Sequence, residues 1–173
     1  MNRYAKWALP LLVLGLMTYF GWGFTSALSR KREEAERIHT LPACAVTPLS
    51  GGPIRLAATG RPLVLVYFDP DCDHCQREAD ELRQNAHQLA HTDVWLLSAA
   101  PLTALNAFAQ THQLDTISNL HVAHITQQKA YDTFGFTSVP DVLIYHADGS
   151  LAKRFRGETS VTAIANYTAP LPK

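Results

Sequence analysis

Cysteine is scarce in this 173-residue chain, which contains only three. Small secreted domains without a sufficient hydrophobic core are held together by several disulfide bonds, and three cysteines cannot provide them. Hydrophobic residues make up 47% of the chain and only nine residues are glycine, which excludes a disordered chain and a collagen-like repeat. The sequence therefore predicts one ordinary globular domain with a short appendage.

The chain also lacks an excess of either charge, because 15 basic residues balance 15 acidic ones. Residues 1–40 contain six basic and three acidic side chains, which leaves nine basic and twelve acidic ones in residues 41–173. Nine minus twelve gives the later part a net charge near −3, which offers no basic surface to a phosphate backbone. We therefore expect no nucleic acid among the partners.

No charged side chain interrupts residues 7–28, which are mostly apolar. A helix of this length spans roughly 30 Å, the thickness of the hydrocarbon core of a bilayer. We predict an N-terminal transmembrane anchor within residues 1–28, a charged stalk at 29–40 and a folded domain at 41–173. A cleaved signal peptide is the alternative, although its apolar region usually runs for only about 7–15 residues.

After residue 41, apolar stretches alternate with stretches of helical periodicity. Residues 62–69 form a nearly continuous apolar run, typical of a strand buried on both faces. In residues 72–90, apolar side chains recur every three or four positions, as on one face of a helix. Ser50-Gly51-Gly52 separates two short extended stretches and indicates an N-terminal hairpin. Further strands are predicted at 94–98, 120–125, 141–146 and 150–155, and further helices near 101–108, 127–134 and 161–167. This order predicts an α/β fold with a mixed sheet that is parallel in its centre.

Cys72 and Cys75 stand directly after the predicted buried strand, at the start of the predicted helix. The amides at a helix N-terminus stabilise a thiolate, and two cysteines at this spacing can approach closely enough to form a disulfide. Cys75 lies on the apolar stripe and is expected to be buried, whereas Cys72 lies one turn earlier at the exposed tip. The pattern favours a redox-active pair in which Cys72 attacks a substrate disulfide and Cys75 resolves the mixed disulfide.

Two other roles stay open for this pair, namely half of a zinc site and an inert disulfide. A zinc site needs two further ligands, and the sequence contains no second pair of cysteines at this spacing. We interpret the third cysteine, Cys44, as a small buried hydrophobic residue. A third redox thiol is the alternative for Cys44.

The residues around the two cysteines resemble a known family. FDPDCDHC at 68–75 and FGFTSVPDVLIYHADG at 134–149 are similar to the corresponding segments of the thioredoxin fold. Together with the apolar N-terminus and the hairpin LPACAV–PIRL, they resemble the membrane-tethered thiol–disulfide oxidoreductases of the TlpA/ResA type. The resemblance covers about residues 41–168. It implies a thioredoxin-like mixed sheet flanked by helices, with an N-terminal hairpin and a single transmembrane anchor.

The same resemblance implies that the protein is a thiol–disulfide oxidoreductase, and it also implies a cellular location. The enzyme would be anchored in a bacterial inner membrane, with its catalytic domain on the periplasmic side and with protein thiols and disulfides as substrates. Reduction is the leading direction, and it requires an upstream electron donor; an oxidase would need an acceptor instead. The redox-active disulfide Cys72–Cys75 would be the sole redox group, with no separate cofactor and no metal.

The resemblance also implies roles for residues beside the pair. In the family, the valine-proline pair, here Val139-Pro140, has a cis peptide bond, packs beside the cysteines and pairs its backbone with the substrate chain. A glutamate often follows the second cysteine, and Glu78 in that position could accept the proton of Cys75; a solvent-exposed helix charge is the alternative. Val66 stands where cytosolic thioredoxin has a buried aspartate, which makes Glu78 the better proton acceptor.

His74 leaves the direction of exchange open. It occupies the position held by histidine in strongly oxidising DsbA-like proteins, where a cation would tune the pair by stabilising the Cys72 thiolate. Asp71 and Asp73 oppose this effect. Thiol oxidation or isomerisation is therefore the first alternative to reduction.

Two further alternatives belong to other functional classes. Peroxiredoxins have threonine or serine three residues before the reactive cysteine, where this chain has Asp69. Non-enzymatic copper-delivery proteins of similar fold have two cysteines separated by three residues and a distant histidine. The spacing of Cys72 and Cys75 argues against copper delivery.

Overall fold

The computed structural model of the chain describes residues 16–19, 22 and 32–168. The chain divides into two compact units, residues 1–36 and 37–173. In the first unit, residues 16–19, 22 and 32–36 are helical. Most of the predicted anchor at residues 7–28 lies outside the described residues. No helix among those described is both long and apolar enough to cross a membrane.

Seven strands of the second unit form one mixed sheet within residues 32–168, in the order β2-β1-β5-β4-β3-β6-β7. The strands are β1 Cys44–Pro48, β2 Ile54–Leu56, β3 Leu63–Tyr67, β4 Asp93–Ser98, β5 Leu120–His124, β6 Asp141–Tyr145 and β7 Leu151–Arg156. The central pairs β3–β4 and β4–β5 are parallel, and the pairs toward the two edges are antiparallel. The hairpin and the parallel centre of the sheet are as predicted.

Helices cover both faces of this sheet. They are α1 Asp73–Gln84, α2 Leu102–Thr111, α3 Gln127–Phe134 and α4 Val161–Thr168. Apolar residues of α1, α2 and α4 pack with one face of the sheet, and those of α3 pack with the other. The five residues of β3 are all buried because neighbouring residues of a strand point to opposite faces and each face is covered.

The helix predicted over residues 72–90 is shorter in the structure. It ends at Gln84, and a separate 3-10 turn, Ala86–Leu89, follows it. The Asn85 side-chain amide donates to the carbonyl of Glu81 over 3.1 Å. Asparagine commonly competes in this way with the regular helical bonds.

The folded unit begins earlier than the boundary predicted at residue 41. Ile38 is 4% exposed and packs with Cys44 and Tyr145 in the core. Thr40 pairs with Ser150, and the amide of Leu41 donates to the carbonyl of Gly149. The last residues of the predicted stalk therefore belong to the folded unit. One buried isoleucine in a charged segment carries no helical periodicity, so the sequence pattern did not indicate it.

Candidate active site

The first turn of α1 positions the cysteine pair. Cys72 caps the helix with an extended backbone, and its carbonyl accepts the amide of Gln76. The Cys72 amide donates to the carbonyl of Asp69 over 3.1 Å, which fixes the turn between β3 and α1. The cysteine pair thus lies at the C-terminal end of the buried strand, where the ends of parallel strands form a site.

The two thiols differ in exposure as the helical stripe predicted. Cys72 is half-buried, and Cys75 is 3% exposed and packed in the core with Val66 and Ala79. Burial raises the pKa of the Cys75 thiol well above its usual value, and the neighbouring Cys72 and Glu78 raise it further. Cys75 therefore keeps its proton until a base removes it.

Glu78 is buried rather than solvent-exposed. It is 1% exposed, and no donor among the described residues forms a hydrogen bond with either of its carboxylate oxygens. Burial raises the pKa of Glu78 to about 8, and the negative charges of Glu158 and Glu81 contribute to the same rise. The burial of Glu78 rules out the alternative that it is a solvent-exposed helix charge. A buried carboxyl with a pKa near neutrality is suited to accepting and returning a proton.

Val139 and Pro140 precede β6, and Val139 packs against the same core cluster as the cysteine pair. The Val139-Pro140 peptide bond is cis, as the resemblance implied, and both Val139 and Cys72 pack against the core that contains Cys75. The Pro140 carbonyl accepts the amide of Gly157 over 2.8 Å. Val139 also borders a groove of about 610 Å³, which is lined by Tyr67, Asp69, Gln127, Gln128, Tyr131, Phe136, Thr137 and Ser138.

The side chain of His74 points to a carboxylate that sequence reasoning missed. Its Nδ1 atom lies 2.6 Å from Oε2 of Glu158 and 2.6 Å from Nη2 of Arg77. Nδ1 can donate to the carboxylate or accept from the guanidinium, but it cannot do both at once. Arg77 also donates from Nε and Nη2 to the two Glu158 oxygens, over 3.2 and 2.8 Å. His74 and Glu158 are 84 positions apart, so no local pattern could have predicted this contact.

A buried ion pair joins Asp141, the residue after Pro140, to Arg154 of β7. Asp141 is fully buried and accepts two hydrogen bonds from Arg154, over 2.9 and 2.6 Å. Arg154 also donates to the carbonyls of Phe134 and Gly135 at the end of α3. This bidentate pair connects β6, β7 and α3 under the Val139-Pro140 loop. The sequence analysis did not single out either residue.

Cys44 lies on the opposite face of the sheet from Cys75. It is 3% exposed and packs with Leu65 and Tyr67, whereas Cys75 packs with Val64 and Val66 of the same strand. Burial raises the pKa of the Cys44 thiol. This placement fits a small buried hydrophobic residue better than a third redox thiol.

No group of three histidine, cysteine or acidic side chains lies close enough to hold a metal ion in the part of the chain that the structure describes. That the protein uses neither a metal nor a separate cofactor stays a prediction.

Comparisons with known proteins agree with this architecture. A sequence profile described as a thioredoxin-like domain matches residues 53–169, well over half of the chain. No curated protein sequence matches the chain. Solved structures that resemble it include MTB DsbF in its mixed oxidized and reduced forms, with 19% identity and a TM-score of 0.64 over 76% of this chain and 94% of that one.

Two other solved structures have a similar fold. A secreted Mycobacterium tuberculosis disulfide oxidoreductase, homologous to E. coli DsbE, is 22% identical with a TM-score of 0.61 over 77% of this chain and 96% of that one. StoA from Bacillus subtilis is 11% identical with a TM-score of 0.61 over 76% of this chain and 99% of that one. At these identities the likeness concerns the fold alone, and it confirms the mixed sheet with flanking helices that the resemblance implied.

Proposed function

The chain belongs to the family of thioredoxin-like domains, and we propose that this thiol–disulfide oxidoreductase reduces disulfides of protein substrates outside the cytoplasm. One observation carries the proposal: a half-buried Cys72 caps α1 while Cys75 is buried one turn later beside the buried carboxyl of Glu78. The three groups have the order and the unequal exposure that an attack step and a resolving step require.

The first step forms a mixed disulfide. The Cys72 thiolate attacks one sulfur of the substrate disulfide, a bond forms between Cys72 and that sulfur, and the other substrate sulfur leaves as a thiolate that takes up a proton. The amides at the start of α1 favour the attacking thiolate through the helix dipole. Cys75 is too buried to be the first thiol that a protein substrate meets.

The second step releases the substrate. The Cys75 proton passes to the ionised Glu78 carboxylate, and the Cys75 thiolate attacks Sγ of Cys72. The Cys72–Cys75 bond forms while the bond between Cys72 and the substrate sulfur breaks, and that sulfur leaves as a thiolate that takes up a proton from Glu78 or from water. The substrate thus gains two electrons and two protons in all, and the enzyme loses two electrons. The oxidised pair must then receive two electrons and two protons from an upstream donor thiol pair before the next cycle.

Substrate would bind at the Val139-Pro140 loop. The family pairs its backbone with the substrate chain at this loop, and the groove beside Val139 has room for an adjoining segment of polypeptide. Stacked rings of Tyr67 and Phe136, 4.9 Å apart between centroids, border that groove, and Tyr131 is 53% exposed at its rim. These surfaces support a polypeptide substrate rather than a small thiol alone.

The location belongs to the same proposal. An apolar segment at 7–28 without charged residues would hold the domain at the outer face of the inner membrane. In that compartment protein disulfides form and persist. A reductase of the TlpA/ResA type would find its oxidised clients there.

Trapping of covalent intermediates tests the assignment of the two thiols. In a Cys44→Ala background, Cys75→Ser leaves the mixed disulfide without an internal thiol to resolve it, so a substrate should stay bound to Cys72 until external thiol is added. Cys72→Ser should trap none. Non-reducing gels with purified oxidised protein substrates would give the answer. Equal trapping by both variants, or trapping by neither, would contradict the exchange mechanism and restore the zinc-site and inert-disulfide readings.

A further inference from the structure

The segment that follows β7 contacts both the Val139-Pro140 loop and the first turns of α1. The Gly157 amide donates to the Pro140 carbonyl over 2.8 Å, which ties the segment to the substrate loop. Gly157 has a φ of +96°, a backbone conformation that residues with a Cβ rarely adopt. This turn directs the next residue, Glu158, toward the first turns of α1.

Glu158 binds the two basic side chains that α1 carries nearest the cysteine pair. Both of its oxygens accept from the Arg77 guanidinium, and Oε2 lies 2.6 Å from Nδ1 of His74. Hydrogen bonding to Arg77, followed by His74, holds the pKa of Glu158 well below its usual range. The carboxylate is therefore ionised at neutral pH and offsets positive charge beside the active site.

Arg77 brings a positive charge to the helix turn that carries the cysteine pair. It lies on α1 two residues after Cys75, and hydrogen bonding to Glu158 raises its pKa. A positive charge near the attacking sulfur stabilises the reduced pair and makes a couple more oxidising, as in strongly oxidising members of this fold.

We propose that Glu158 is a positioning residue that keeps the Cys72–Cys75 couple reducing, because it holds the Arg77 guanidinium in an ion pair, binds the His74 ring and offsets the positive charge of Arg77 beside the cysteine pair. The inference rests on the proposed function, in which this pair is the redox group. It goes further by naming a residue outside the cysteine motif that sets the direction of exchange. It also gives His74 a role that differs from that of the histidine in oxidising relatives, since its ring is bound to a carboxylate.

The test is a redox titration of the full-length protein with glutathione. In this equilibrium the Cys72–Cys75 disulfide reacts with two glutathione thiols to give two protein thiols and one glutathione disulfide. Alkylation of the free thiols followed by mass spectrometry measures the reduced fraction of the protein. Glu158→Gln keeps the shape of the side chain and removes its charge. We expect the equilibrium to move toward the reduced protein by about threefold to tenfold, which is a rise of about 15 to 30 mV in potential at 29.6 mV per tenfold.

Two controls separate this effect from a structural one. Asp115→Asn removes an exposed carboxylate from the turn Leu114–Thr116 and should leave the potential unchanged. In a His74→Ala/Arg77→Gln background, Glu158→Gln should shift the potential less than in the wild type, because the two side chains that Glu158 holds in place are gone and only the charge of the carboxylate itself is lost. A purely structural role would lower the melting temperature without this dependence on the background.

The outcomes distinguish the inference from the proposed function. If the wild-type pair forms no reversible disulfide in the titration, the proposed function fails and the inference fails with it. If the wild-type pair titrates but Glu158→Gln leaves its potential unchanged, the role of Glu158 is wrong and the exchange function stands. A potential shift of the same size in the His74→Ala/Arg77→Gln background would also overturn the inference.

Discussion

At the scale of single residues, the burial of Glu78 predicts how the proposed resolving step depends on pH. In that proposed step ionised Glu78 accepts the proton of Cys75, and its pKa of about 8 means that its ionised fraction rises as the pH increases toward 8. The wild-type rate of mixed-disulfide release should therefore rise with pH and become level above pH 8. Glu78→Gln should slow release by roughly ten- to a hundred-fold at neutral pH, the usual cost of losing a general base.

Rapid mixing followed by acid quenching would measure this rate between pH 6 and pH 9. In the variant, solvent alone must deprotonate Cys75, so its rate should keep rising above pH 8 and the gap to wild type should narrow. Equal rates for the two proteins across pH 6–8 would mean that Glu78 does not accept the proton.

The stability of the same variant provides its control. The pKa of Glu78 is raised on folding from 4.5 to about 8, so the native state holds a proton that the unfolded state releases between these values. Through Glu78 alone, the wild type loses stability as the pH rises from about 5 to 8, by up to about 5 kcal/mol. Glutamine cannot release a proton, so the Glu78→Gln variant does not show this pH-dependent loss. In urea unfolding, the free energy of unfolding of the variant minus that of the wild type should therefore increase with pH. A slower variant that remains folded cannot owe its rate to unfolding.

At the scale of secondary-structure elements, the Asp141–Arg154 pair holds three of them together. Asp141→Asn leaves the Arg154 guanidinium, whose side chain is 11% exposed, without its principal counter-charge. Removing one partner of a buried ion pair costs about 3–5 kcal/mol, and the midpoint of urea unfolding should fall accordingly.

A carboxylate in the same hairpin offers a matched control for that loss. Asp148 accepts from the amide and hydroxyl of Ser150 at an exposed turn. An asparagine oxygen can replace it there, so Asp148→Asn should change stability by less than about 0.5 kcal/mol. Similar losses for the two variants would show that the pair with Arg154 does not hold these elements together.

Sequence reasoning predicted the elements better than the contacts between them. Val-rich β3, the stripe from Cys75 to Leu82 and the stop at Gly135 all follow from local periodicity and backbone preference, and the structure has them. The exposures of Cys72 and Cys75 follow from the same stripe. The burial of Glu78 was missed, although its position three residues after Cys75 and four before Leu82 places it on the buried face of α1.

The contact between Glu158 and His74 was missed for a different reason. It depends on a turn at Gly157 after the last strand, and only the folded sheet brings that turn to α1. Tertiary contacts of this kind decide the electrostatics of the site, whereas the cysteine motif decides its chemistry. A motif therefore predicts thiol exchange more readily than it predicts the direction of exchange.

At the scale of the whole molecule, the proposed location predicts whether protease added outside the cell can reach the domain. Clients with disulfides are found where the environment is oxidising, and a reductase that meets them must expose its thiols there. We expect the domain at residues 41–173 to lie outside the cytoplasm, tethered by the apolar segment at 7–28. Protease added to intact spheroplasts should therefore degrade the chain beyond about residue 30, which immunoblotting of the domain would detect.

A cytoplasmic marker protein that survives the same treatment would show that the spheroplasts are intact. The mass of the mature protein distinguishes an anchor from a cleaved signal, because cleavage would remove residues up to about 28 and release the domain from washed membranes. Full protection of the domain in intact spheroplasts would place the thiols in the cytoplasm. Thiols are kept reduced in the cytoplasm, so a reductase of structural disulfides would have few clients there. That result would overturn the proposed location. It would also remove the main reason for expecting reduction as the direction of exchange.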